Sequence, residues 1–184
     1  KDTLWKLDPH TRAKHEILRR YLGAWFAILG RWHNVVYIDG FCGPGEYSNG
    51  EDGSPIVALK EGLKNKVRLV DKQVTYLFMD ERSDRIEHLT KKLSGFPLPE
   101  NFIVRTAVSE FEGAFNTLLD DLDKRNLQIA PTFAFIDPFG FKGLPFTLVK
   151  RLLSFERTET FINLNLNRII QFLDHPDETI KALF

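Results

Sequence analysis

Val35-Val36-Tyr37-Ile38-Asp39-Gly40-Phe41-Cys42-Gly43-Pro44-Gly45 is the stretch that decides the fold. A β-branched apolar run ends in an acidic residue and opens directly into a glycine-rich turn. Nucleotide-binding α/β domains begin in this way, because the strand delivers its last side chain to the carboxyl edge of a sheet. The glycines then let the backbone turn sharply and approach a ligand. Two further apolar runs end in acids, at Asp80 and Asp137. Three acidic strand ends are thus expected along one sheet edge.

Outward from this stretch, strand and helix patterns alternate. Asp8-Pro9 reads as a helix start, with Asp8 as N-cap. The helix runs to about Trp32, with Ala13, Ile17, Tyr21, Leu22, Trp25, Ile28, Leu29 and Trp32 as its apolar face. A polar loop over 46–54 precedes a helix near Pro55. A strand over 75–79 leads to Asp80 and then to a helix from Ser83, its expected cap, to about Leu93. Gly95-Phe96-Pro97-Leu98-Pro99 breaks that helix. Further strands are expected at 102–104, 132–136 and 159–164, with helices at about 111–126 and 145–154 and a last helical segment. The strands are near-continuously apolar, which predicts a mainly parallel sheet with helices on both faces. The whole chain, 1–184, reads as one Rossmann-like doubly wound α/β domain, with an N-terminal helix over 9–32 and a core over 35–184.

Composition sets bounds. Hydrophobic content of 43% and charged content of 27% are those of an ordinary globular domain. Lys plus Arg and Asp plus Glu are 25 each, so net charge gives no argument about nucleic acid. Cys42 is the single cysteine, which excludes an internal disulfide and a cysteine zinc cluster and fits a reducing cytoplasm. No long uncharged apolar run predicts a membrane span. His10, His15, His33, His88 and His175 lack metal-ligand spacing, so no metal site is expected. The chain starts at Lys1 and stops at Phe184 inside an apparent helix, which suggests a piece of a longer protein.

The loop has the form Asp-x-Phe-x-Gly-x-Gly, through Asp39, Phe41, Gly43 and Gly45. It lacks the third glycine of a dinucleotide fingerprint and the Gly-Lys-Ser/Thr of a phosphate loop. It resembles motif I of S-adenosylmethionine-dependent methyltransferases, which implies a loop wrapped around the methionine half of that cofactor. A ligand-free strand-to-helix turn is the plainer alternative. Asp80 offers two carboxylate oxygens, which match a ribose diol; it could equally cap the next helix, and Glu81 beside it could take either role. The exit of the third strand, Arg105 to Ser109 and around Ala107, is where methyltransferases contact adenine, mostly through backbone. Asp137-Pro138-Phe139-Gly140 stands where amino-group methyltransferases carry Asp/Asn-Pro-Pro-Phe/Tyr. There an oxygen and a carbonyl hold an exocyclic amine and the aromatic stacks on the flipped base. Phe139 replaces the second proline, and the Asp-Pro-Phe-Gly form resembles tRNA guanine-N2 dimethyltransferases. In Thr11-x-x-Lys14-His15, Lys14 could meet a carboxylate near the cofactor and His15 could hydrogen-bond there; a structural histidine is the alternative. Gly53-Ser54-Pro55 could approach a ligand carboxylate or simply cap a helix, and Cys42 reads as a small packing residue.

Together, Thr11-x-x-Lys14-His15, Tyr37 to Gly45, Gly53-Ser54-Pro55 and Asp137-Pro138-Phe139-Gly140 resemble the bacterial three-Cys-motif partner family. The resemblance implies a class I methyltransferase-like domain associated with a radical-type protein that bears three clustered cysteines. Two more strands would complete the usual seven-stranded methyltransferase sheet. Three functions follow as expectations. The first is N-methylation of an exocyclic amine on a nucleic acid base. Asp137, Pro138 and Phe139 would act on that amine, while Lys14, His15, Asp39, Phe41, Gly43, Gly45, Asp80 and Ala107 would hold S-adenosylmethionine. The second is a non-catalytic or cofactor-binding module that serves the three-Cys protein. The third is hydrolysis with Mg²⁺ held by Asp39, Asp80 and Asp137. Substrate and oligomeric state are not encoded in any motif.

Overall fold

The computed structural model describes residues 2–138 and 145–163. Its elements are α1 (Pro9–Ile28), β1 (Val35–Asp39), α2 (Ser54–Lys64), β2 (Val74–Asp80), α3 (Ser83–Leu93), β3 (Phe102–Val108), α4 (Phe111–Lys124), β4 (Thr132–Ile136), α5 (Phe146–Leu152) and β5 (Thr158–Ile162). The five strands form one parallel sheet in the order β3-β2-β1-β4-β5. This is the expected Rossmann-like α/β arrangement. From β1 the chain winds outward to β2 and β3, then returns to the other side of β1 for β4 and β5. The reversal leaves a crevice between the carboxyl ends of β1 and β4, where open α/β sheets bind ligands.

Each face of the sheet carries its own core. Tyr37, Tyr76, Phe78, Phe133 and Phe135 meet α1, α2 and α3 on one side. Ile38, Met79, Ala134 and Ile136 meet α4 and α5 on the other. Burial on both faces explains the continuous apolar run of β4, all five of whose residues are buried. β3, an edge strand, has a single buried residue, Phe102.

α1 starts as its sequence dictates: the Asp8 carboxylate accepts the Thr11 N–H at 2.8 Å, and Pro9 sits at the first position. Its end and its face differ from expectation. The helix stops at Ile28, and residues 29–32 form a turn. The buried stripe is His15, Leu18, Leu22, Trp25 and Phe26, whereas Ile17, Tyr21, Ile28 and Trp32 are exposed. Two apolar stripes at helical spacing lie side by side, and periodicity alone did not separate them.

Three further boundaries move. β3 continues to Val108, so Arg105 to Val108 lie inside a strand rather than at its exit. β5 spans Thr158–Ile162. α3 is capped by Arg82, and Ser83 is its first helical residue with no capping hydrogen bond. Phe139, Gly140 and the expected last helix lie outside the described residues. Among the described residues, no helix is long and apolar enough to cross a membrane.

Candidate functional site

The switch-point crevice is a cleft of about 270 Å³. Lys14, His15, Phe41, Gly43, Gly45, Asp137 and Pro138 all line it, so seven of the site residues read from sequence converge there. Trp5, Asp8, Tyr47, Ser54, Phe135 and Asn163 complete most of the wall.

The loop owes its shape to its glycines. Gly43 and Gly45 adopt φ of +62° and +81°, the left-handed region that residues with a Cβ rarely enter. The Cys42 N–H donates to the Met79 carbonyl at 2.9 Å, which ties the loop across the top of β2. Gly53, the N-cap of α2, donates its N–H to the Gly45 carbonyl at 2.7 Å. A Cβ on Gly53 would stand 2.8 Å from the Gly45 carbonyl carbon, so only glycine permits this approach. The result brings the buried Ser54, at the N-terminus of α2, to the cleft floor.

The two acidic strand ends that flank the crevice differ from each other. Asp39 is fully buried beneath the loop. The Phe41 N–H donates to Oδ1 at 3.3 Å, and Oδ2 has no aligned hydrogen bond although the Ser54 hydroxyl is close enough to favour its charge. Burial outweighs these contacts and pushes its pKa up to about 7. Asp137, just beyond β4, faces the cleft. Lys14 Nζ donates to its Oδ2 at 2.5 Å, and Asn163 Nδ2 donates to its Oδ1 at 2.7 Å. Asn163 follows β5 directly, and its N–H donates to the Ile136 carbonyl at 3.0 Å. The clamp on Asp137 therefore joins α1, β4 and β5.

His15 is buried, and burial lowers its pKa, with the neighbouring Lys14 charge acting the same way. Both disfavour the charged form of the ring, which lies 5.8 Å from the Tyr47 ring. Phe41 turns toward the opposite core, its ring 5.6 Å from that of Phe111. Cys42 is buried and its thiol pKa is driven up by burial, as suits a packing residue.

Asp80 and Ala107 stand apart from the cleft. Asp80 is buried and holds four contacts: the Gly43 N–H at 3.1 Å, the Arg82 N–H at 2.9 Å, and Arg85 Nη1 at 3.1 Å to Oδ2 and 3.4 Å to Oδ1. A carboxylate has about four lone-pair sites, so this one is engaged throughout. Ala107 is exposed on β3 opposite Met79, two strands away from β1. Its backbone is part of an edge-strand ladder rather than a loop over a ligand.

Trp5 and Asn163 are wall residues that sequence reading missed. Asn163 had a signal, since a residue leaving β5 must fall beside one leaving β4 once the two strands pair. Trp5 had none, because its place is set by contacts with Ser48, Tyr47 and Arg85. Among the described residues, no three His, Cys, Asp or Glu side chains are grouped to hold a metal ion. No protein-family model matches the chain, and no curated protein matches it either. The geometry of the cleft therefore carries the functional reading.

Proposed function

We propose that this domain transfers a methyl group from S-adenosylmethionine to an exocyclic amine of a nucleic acid base. The observation that carries the reading is the cleft at the β1–β4 switch point, bounded by the glycine loop on one side and by Asp137-Pro138 on the other. The residues present suit the methionine half of the cofactor. The glycine loop offers bare backbone, and the N-terminus of α2 at Ser54 favours a carboxylate.

When bound, the cofactor supplies a methyl group on a sulfonium; the chain's own residues do the positioning. Among the described residues, Lys14 and Asn163 take two of the roughly four lone-pair sites of Asp137. The sites left accept an amine N–H, and the Pro138 carbonyl is a second acceptor. Lys14 balances the Asp137 charge, so the pair receives a neutral amine without leaving an unpaired anion. In-line displacement needs alignment more than a strong base, and alignment is what this clamp provides. Phe139, the expected stacking residue, lies outside the described residues.

A second reading has its own support. The engagement of Asp80 by Arg85 closes the carboxylate expected to hold the ribose, which favours a module without catalysis; the three-Cys-motif protein is the partner that the sequence resemblance implies. Isothermal titration with S-adenosylmethionine separates the two readings, followed by methyl transfer from labelled cofactor to bulk tRNA, rRNA and DNA. Saturable binding and incorporated label support the enzyme. Binding without label in any of the three nucleic acids supports the module, and absence of binding removes the cofactor.

A further inference from the structure

Residues 3–8 precede α1, and Thr3 and Trp5 tie this segment to α3, to the polar loop and to the surroundings of Asp80. Thr3 Oγ1 donates to Asp84 Oδ2 in the first turn of α3 at 2.6 Å. The Trp5 carbonyl accepts the Ser48 N–H at 2.9 Å, which pins the segment to the polar loop. The Trp5 ring meets Tyr47 edge-on at 5.7 Å. It also covers the Arg85 guanidinium at 4.9 Å, a cation–π distance. Arg85 in turn engages both oxygens of Asp80. Thr3, Trp5, Arg85 and Asp80 thus form one chain of contacts from α3 to the end of β2.

At about 270 Å³ the cleft lies just below the roughly 300–1,000 Å³ usual for small-molecule sites. A Cβ placed on Gly43 would lie 3.6 Å from the Trp5 ring, so the aromatic sits directly against the glycine loop. A ligand that reached from that loop to Asp80 would need the place held by Trp5 and the oxygens held by Arg85.

We propose that Thr3–Asp8 is a latch over the ends of β1 and β2, beside the cleft, and that a ligand extending from the glycine loop to Asp80 binds only as the latch opens. The inference rests on the cofactor reading above. Arg85 then has two roles. In the closed state it covers both oxygens of the buried Asp80, and in the open state it still balances the charge while freeing lone pairs for a vicinal diol. Apparent affinity is then the intrinsic affinity scaled by the open fraction, so loosening the latch tightens binding.

The test is S-adenosylmethionine titration of the full chain and of two variants, Thr3→Ala and Trp5→Ala, each first shown to be folded by its thermal transition. Thr3→Ala removes the anchor to α3 without touching the cleft wall. It is expected to bind at least threefold tighter than the wild type, and Trp5→Ala tighter still. Unchanged or weaker binding by Thr3→Ala overturns the latch and leaves the cofactor reading standing, whatever Trp5→Ala does. No binding by the wild type or by either variant removes the cofactor reading, and the latch falls with it.

Discussion

The carboxyl edge of the sheet has two halves that look alike in sequence and behave differently in the fold. Both present an apolar strand that ends in aspartate. At β2, Asp80 is buried and engaged by two backbone amides and a guanidinium. At β4, Asp137 is part-exposed, held by one ammonium and one amide, and opens on the cleft. Topology makes the difference. β2 continues into a helix that returns Arg85 to its own strand end, whereas Asp137 lies at the switch point, where neighbouring connections diverge. An acidic strand end is therefore a site only if its surroundings leave it one.

The largest effect expected from this contrast is at Arg85. Arg85→Met would leave Asp80 buried without its cation. Breaking a buried pair in this way costs about 3–5 kcal/mol, which lowers the melting temperature by roughly 10 °C for a domain of this size. A thermal melt reads it directly, and a shift of only a degree or two would mean that Asp80 is solvated and comparable to Asp137.

Next comes Asp39, whose Oδ2 lacks an aligned hydrogen bond. Its carboxyl is ionised in the unfolded chain above about pH 4, but holds its proton in the folded chain up to about pH 7. Between those values the native state binds more protons than the unfolded one, so this group's contribution to stability falls as pH rises and levels off above 7. Three units correspond to an upper bound of roughly 4 kcal/mol. Asp39→Asn removes the dependence. Urea denaturation at pH 4.5 and pH 8 is expected to show the variant gaining on the wild type at the higher pH. Parallel pH profiles would show that Asp39 is ionised and hydrated in the native state.

A smaller loss is expected at the joint between loop and helix. Gly53→Ala forces a Cβ against the Gly45 backbone, which no rotamer change relieves. Overpacking of this kind costs about 1–3 kcal/mol, and on the cofactor reading proposed above the strained loop should also weaken S-adenosylmethionine binding. A variant of unchanged stability and affinity would mean that the Gly45–Gly53 approach is not what shapes the cleft.

These contrasts mark what was legible in the chain. The β-α alternation, the glycine turn and the Asp8 cap are local signals that survive folding, because each is dictated by sterics or by hydrogen bonds within a few residues. The convergence of Gly43, Gly45 and Asp137 followed from placing strand ends on one edge, and that of Lys14 from packing the helix before β1 over the same edge. The engagement of Asp80 was not legible, since Arg85 reads as an ordinary helix cation until α3 is docked. The exposure of Ile17, Tyr21, Ile28 and Trp32 was hidden for a similar reason: which of two neighbouring apolar stripes faces the sheet depends on the docking angle of α1, not on its own period. Ala107 was misplaced because strand length sets where an exit lies, and pairing with β2 carries β3 to Val108.

The smallest effect is expected at Lys14, and it sharpens the comparison from the open side. Lys14 Nζ lies 2.5 Å from Asp137 Oδ2, a closer approach than Arg85 makes to Asp80. Distance alone would rank Lys14 as the stronger partner. Burial reverses the ranking: the Lys14 and Asp137 side chains each keep 20% of their exposure, against 13% and 5% for Arg85 and Asp80. Water can rehydrate Asp137 when its cation is lost, and Asn163 still orients it. Pairs that water can reach contribute about 0–1 kcal/mol, so Lys14→Met should lower the melting temperature by no more than about 4 °C. A loss as large as that of Arg85→Met would mean that Asp137 is as desolvated as Asp80, and the two halves of the edge would then be alike. A small loss of stability with a large loss of methyl transfer would instead assign the clamp to chemistry rather than to folding.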